Sequence, residues 1–148
     1  MDLIYLDYNC FQRGFDDPRQ IKIQLEALAC EEIFEKAERE NIRLVWSFMH
    51  EDENIICPFT ERKLTIYSLI GLCEIKIGPN KEIYRLAKNF EQTAKLSSKD
   101  AIHLACACYA KSGYFLTCDD NLIKYARRLK LGIKIMNPVE YIREVGKQ

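Results

Sequence analysis

The chain has 148 residues, the length of one ordinary domain, with 48% hydrophobic and 30% charged side chains and with Lys plus Arg balancing Asp plus Glu at 22 each. That is a globular composition, long enough to bury a core without disulfides, and its neutral balance excludes a global positive field as the basis of nucleic-acid binding. No apolar run is long enough to cross a membrane, the start lacks a secretory signal, and the seven cysteines form no CxxC pair, so a cytoplasmic protein with reduced, mainly structural thiols is expected.

Residues 2–6 are an apolar run stopped by Asp7 and Asn9, which predicts a first strand with an acid at its carboxyl end. Ligands bind there in doubly wound sheets, and an Asp is equally at home there as turn chemistry. After the turn-rich Gly14–Pro18, the spacing of Ile21, Leu25, Leu28, Ala29, Ile33 and Ala37 predicts a long amphipathic helix ending near Glu40 and Asn41. Ile42–Trp46 has almost no alternation and reads as a strand buried on both faces.

Ser47–Asn54 then opens a helix carrying Glu51, Asp52 and Glu53. Consecutive helical residues point roughly 100° apart, so at most one or two of these acids can face one site. The helix dipole would explain acids here without any function. Pro58 opens another helix, with Leu64, Tyr67, Leu69 and Ile70 inward, closing near Gly71; Cys73–Ile77 is a third strand, and residues 82–96 form an amphipathic helix.

Ser97 is an N-cap for the next helix, with Asp100 three residues on as an acidic capping partner and Ala101, Leu104, Ala105 and Cys108 as the apolar stripe; Gly113 is its stop. Tyr114–Thr117 is a fourth strand with Asp119 just past it, residues 122–129 are helical, Ile133–Met136 is a fifth strand, and Pro138 starts a last helix. Strands separated by helices, each too far apart for hairpins, imply a parallel α/β sandwich, read as a single domain over residues 1–148.

In such a sheet, helix starts follow the carboxyl ends of strands, so Asp7, Asp100, Asp119 and one acid of the 51–53 group gather on one edge. Carboxylates packed together repel unless a cation neutralises them, and an oxygen donor set favours Mg²⁺ or Mn²⁺ over zinc. Such a site suits phosphodiester hydrolysis. No GxxxxGK[ST] or GxGxxG loop is present, which disfavours phosphate transfer from a cradled nucleotide. Five basic residues and no acid lie between Asn121 and Lys134; among them Lys124, Arg127 and Arg128 are candidates for phosphate contacts, or a solvated face.

Four segments together resemble the PIN-domain family, over nearly the whole chain. They are Tyr5-Leu6-Asp7-Tyr8-Asn9, then Ser47 followed six residues later by Glu53, then Ser98-Lys99-Asp100-Ala101-Ile102-His103-Leu104-Ala105, and Phe115-Leu116-Thr117-Cys118-Asp119-Asp120. The resemblance implies a three-layer sandwich around a five-stranded parallel sheet of order 3-2-1-4-5. It also implies an acidic catalytic and metal site of Asp7, Glu53, Asp100 and Asp119 holding Mg²⁺ or Mn²⁺, with Asn9, Thr117, Ser47 and Asp120 in support. The implied activity is that of a metal-dependent endoribonuclease, a VapC-like toxin with an RNA substrate, an antitoxin partner and often a homodimeric state. A non-catalytic module that binds RNA or protein, and a structure-selective DNA nuclease, are the alternatives.

Overall fold

A computed structural model describes residues 1–146. Its sheet is wholly parallel, in the order β3-β2-β1-β4-β5, from β1 (Asp2–Leu6), β2 (Ile42–Ser47), β3 (Ile75–Ile77), β4 (Tyr114–Leu116) and β5 (Lys134–Met136). The expected α/β class and strand order are therefore observed.

Alternate residues of each strand feed two cores, because strand side chains point to opposite faces. Ile4, Leu6, Leu44, Trp46, Leu116 and Met136 face one core. That face is covered by α1 (Tyr8–Gln12), α2 (Ile21–Glu38), α4 (Thr60–Ile70) and α8 (Pro138–Val145). Tyr5, Val45, Phe115 and Ile135 face the other, under α5 (Lys81–Ala94), α6 (Ser98–Tyr109) and α7 (Asp120–Ala126). Ala101, Ala105 and Ala107 are wholly buried on α6, so small side chains bring that helix close to the sheet.

Three expectations need correction. The inward face of α2 is not the one that the first-turn spacing indicated: Ile21, Leu25 and Leu28 are 73%, 44% and 61% exposed, while Glu26, Ala29, Cys30, Ile33 and Ala37 are buried. Leu64 on α4 is likewise 64% exposed, with Ile66 buried instead. The helix from Ser98 stops at Tyr109, and the left-handed residue after it is Lys111 at φ 60°, not Gly113. The five-residue α1 has no counterpart in the sequence reading, because a helix so short shows no periodicity.

The helix after β2, α3 (Phe48–Ile55), begins with a reciprocal cap. Met49 N donates to Ser47 Oγ at 3.2 Å and Ser47 N donates to His50 Nδ1 at 2.9 Å. Since Leu6 O can only accept, His50 Nε2 donates to it, at 2.6 Å, which fixes the neutral ring. Burial, then the neighbouring His103, pushes the His50 pKa well below its ordinary value. The unfolded chain, titrating near ~6.5, therefore takes up a proton that the native state refuses as pH falls, and stability drops with it. Between pH 7 and pH 5, His50→Gln should remove up to about 2 kcal/mol of this acid-induced loss in chemical denaturation; an equal loss in both proteins would contradict it.

Candidate active site

Asp7, Glu53, Asp100 and Asp119 line one cleft of about 440 Å³ at the carboxyl ends of β1 and β4, together with Asn9, Gln12, Lys99 and Phe59. Each acid arrives by a different local device. Asp7 follows β1 and is 5% exposed; Asp119 follows β4 and caps α7, its Oδ1 accepting Asn121 N at 3.0 Å and Leu122 N at 3.1 Å. Asp100 is set by the Ser97 cap, whose Oγ accepts Asp100 N at 3.2 Å. Glu53 lies on α3 toward the cleft, whereas its neighbours turn away. Glu51 accepts Trp46 Nε1–H at 3.1 Å and Tyr67 O–H at 3.2 Å, and Asp52 is exposed.

Thr117 and Asn9 join the first and last acids. The Thr117 hydroxyl donates to Asp7 Oδ2 at 2.7 Å and accepts Asp119 N at 3.1 Å, while Asn9 Nδ2 reaches Thr117 Oγ1 at 3.1 Å and Asp7 Oδ2 at 3.3 Å. Asn9 Oδ1 accepts Cys118 N at 3.2 Å, closing the bridge between β1 and β4. Asp7 is thereby held in a fixed rotamer. Burial raises its pKa, against the lowering effects of His103 and the Thr117 hydrogen bond, and Asp100 and Glu53 raise it further.

His103, which lies in the third of the four segments and is wholly buried, also reaches the site. His103 Nε2–H is hydrogen-bonded to Glu53 Oε1, and Lys99 Nζ stands 3.8 Å from Glu53 Oε2. In the neutral ring, His103 Nδ1 accepts Tyr5 O–H at 2.6 Å, and the Tyr5 oxygen in turn accepts Ser47 O–H at 2.7 Å. A buried chain of hydrogen bonds thus runs from the α3 cap to the cleft. Spacing could have found it: His103 is one helical turn beyond Asp100, and Tyr5 is two residues before Asp7, hence on one face of β1.

Other candidates lie elsewhere. Asp120 is exposed and 3.8 Å from Lys22 Nζ, away from the cleft lining. Arg127 is engaged with the fold: its Nε donates to Ile135 O at 2.9 Å and its Nη2 is 3.4 Å from Glu140. Arg128 stacks over Tyr125, and Lys124 is exposed.

The four acids ring the cleft without converging. Among the described residues, no three of them bring carboxylate oxygens within 4.8 Å of one another. Glu53 is drawn toward His103 and Lys99, and one oxygen of Asp119 is occupied as a cap. The donor set nevertheless suits a hard divalent cation: four carboxylates of the lining with a buried Asp7 whose pKa is raised by burial and by its acidic neighbours, a cost that a cation would relieve.

Neither family models nor curated proteins match the sequence. Among solved structures, FitAcB from Neisseria gonorrhoeae superposes with a TM-score of 0.60 and 15% identity over 91% of this chain and 97% of that one. VapBC2 from Rickettsia felis, bound to a DNA fragment from their promoter, gives 0.59 and 12% over 91% and 98%. Together with the strand order β3-β2-β1-β4-β5, these likenesses identify the architecture as PIN-like.

Proposed function

We propose that this chain is a Mg²⁺- or Mn²⁺-dependent endoribonuclease, with Asp7, Glu53, Asp100 and Asp119 as its metal-holding and catalytic acids. The observation that carries the reading is the meeting, around one cleft, of four carboxylates drawn from across the chain, one of them buried. Natural proteins tolerate such local conflicts chiefly where they are used. When bound, the ion supplies a water of lowered pKa and stabilises charge on the phosphate oxygens.

The chain's own residues do the rest. Thr117 and Asn9 fix Asp7 so that its Oδ1 is left for the cleft, and Asp119 keeps Oδ2 free of the cap. His103, backed by Tyr5 and Ser47, orients Glu53 as outer partners orient ligands elsewhere. Lys99, 59% exposed at the rim, offers a cation to the RNA backbone. The likeness to FitAcB and to promoter-bound VapBC2 supports the narrower role of a toxin with an antitoxin partner.

Labelled single-stranded RNA and DNA incubated with the pure protein test the proposal. RNA cut internally with Mn²⁺, intact with EDTA, and cut in preference to DNA is the expected result. Metal-independent cleavage would overturn the mechanism; preference for DNA would overturn the substrate; binding without cleavage would leave a non-catalytic module.

A further inference from the structure

A second site stands behind the acidic cleft. Cys10 on α1, Cys30 on α2 and Cys118 after β4 are 1%, 2% and 3% exposed, and one ligand atom from each lies within 4.8 Å of the other two. Among the described residues no other set of three or more His, Cys, Asp or Glu side chains meets that closely, although four further cysteines are present. Three thiols can pack as small hydrophobic groups, but two features of the surroundings go beyond packing. Arg13 stands by Cys118 and is 3.0 Å from the wholly buried Glu26, so the sulfurs border a charged cluster inside the core. Cys10 and Cys30 also line a groove of about 540 Å³ bounded by Phe11, Phe15 and Leu28, which gives a small ion a path inward.

We propose that Cys10, Cys30 and Cys118 bind one soft, thiophilic d¹⁰ cation through three thiolates. Each sulfur exchanges its proton, which passes to solvent, for a bond to the cation. Metal–sulfur bonds of about 2.3 Å require sulfurs roughly 4 Å apart, a spacing within the 4.8 Å limit that these three sulfurs meet. Hard Mg²⁺ and Mn²⁺ do not compete for such donors. The two sites share the segments Asn9–Cys10 and Thr117–Asp119, so cation binding here would brace the backbone that presents Asp7 and Asp119.

Titrating the reduced full-length protein with Cd²⁺ tests this through the ultraviolet thiolate-to-metal absorption, with Zn²⁺ and Cu(I) as separate displacing arms that rank the cations. One Cd²⁺ per chain is expected, retained in excess Mg²⁺. Cys30→Ala should weaken binding by at least about 10-fold, since even supporting residues of metal sites are worth that much, while Cys108→Ala should leave it unchanged. X-ray absorption on the loaded wild-type protein should count three sulfurs and does not depend on any variant folding. Absence of stoichiometric uptake, uptake unaffected by Cys30→Ala, or fewer than three sulfurs would overturn the proposal.

Discussion

Replacing Asp7 by Asn is expected to lower Mn²⁺-dependent RNA cleavage by at least about 10²-fold while making the metal-free protein more stable at neutral pH. The loss of activity follows from the position of Asp7, the most buried of the four acids in the cleft, where an amide keeps the shape but not the charge. The gain follows from linkage. Burial and the neighbouring acids hold the native pKa of Asp7 above its unfolded value of ~3.9, so the folded state binds the extra proton in that window. Stability is therefore full below the unfolded pKa and is lost as pH rises through the native one, and the ionised, metal-free site carries the deficit at pH 7. Asn removes it, and its carbonyl still accepts from Thr117 and Asn9, the two donors now on Asp7 Oδ2. Mn²⁺ should raise the melting temperature of the wild type, because it binds the native state alone, and should raise that of Asp7→Asn far less. Thermal melts with and without Mn²⁺, above and below pH 4, check both signs. A variant less stable than wild type at pH 7, or one that still cleaves RNA, would refute the assignment of Asp7.

How far the fold could be read in advance depended on the kind of signal each segment carried. Strands with almost no polar alternation, such as Ile42–Trp46 with Arg43 as its one charged residue, each followed by a helical period, point to a parallel sheet, because a strand buried on both faces has few polar positions to spare. The acids at strand ends and helix starts were legible for the same topological reason: in a parallel sheet those two places are neighbours. Rotational phase was not legible. Glu53 is set apart from Glu51 in the sequence only by the resemblance, through its six-residue offset from Ser47; the physical reason, that Trp46 and Tyr67 claim Glu51, lies in contacts with other elements. The His103–Tyr5–Ser47 chain was hidden likewise, because a histidine among apolar neighbours reads the same whether or not its far nitrogen meets a carboxylate.

Glu26 is the sharpest such reversal, and it yields the largest stability effect expected here. On a helix where Leu25 and Leu28 look like the core face, the wholly buried residue is the carboxylate between them. Its Oε1 lies 3.0 Å from Arg13 Nε, too poorly aligned for a hydrogen bond but a close charge contact; its Oε2 accepts from Lys22 Nζ at 2.8 Å and from Asn137 Nδ2. Asn137 in turn caps α8 by accepting Val139 N at 2.9 Å, and Lys22 Nζ reaches Cys118 O at 3.3 Å. Glu26 therefore ties α2 to the turn after α1 and to the start of α8, and its partner Lys22 adds the strand end that carries Asp119. Removing the buried member of an ionic cluster leaves the others under-compensated, so Glu26→Ala should cost about 3 kcal/mol in chemical denaturation. Part of that cost falls on the Arg13 guanidinium, whose side chain is 18% exposed and which keeps Asp16, accepting from its Nη1 at 2.9 Å, as its remaining carboxylate partner. The double variant Arg13→Met with Glu26→Leu should then be clearly more stable than the sum of the two single changes predicts, because it removes both charges and fills the volume. Strict additivity in that cycle would mean that α2 is anchored by its apolar contacts alone and that Glu26 is only a passenger on its buried face.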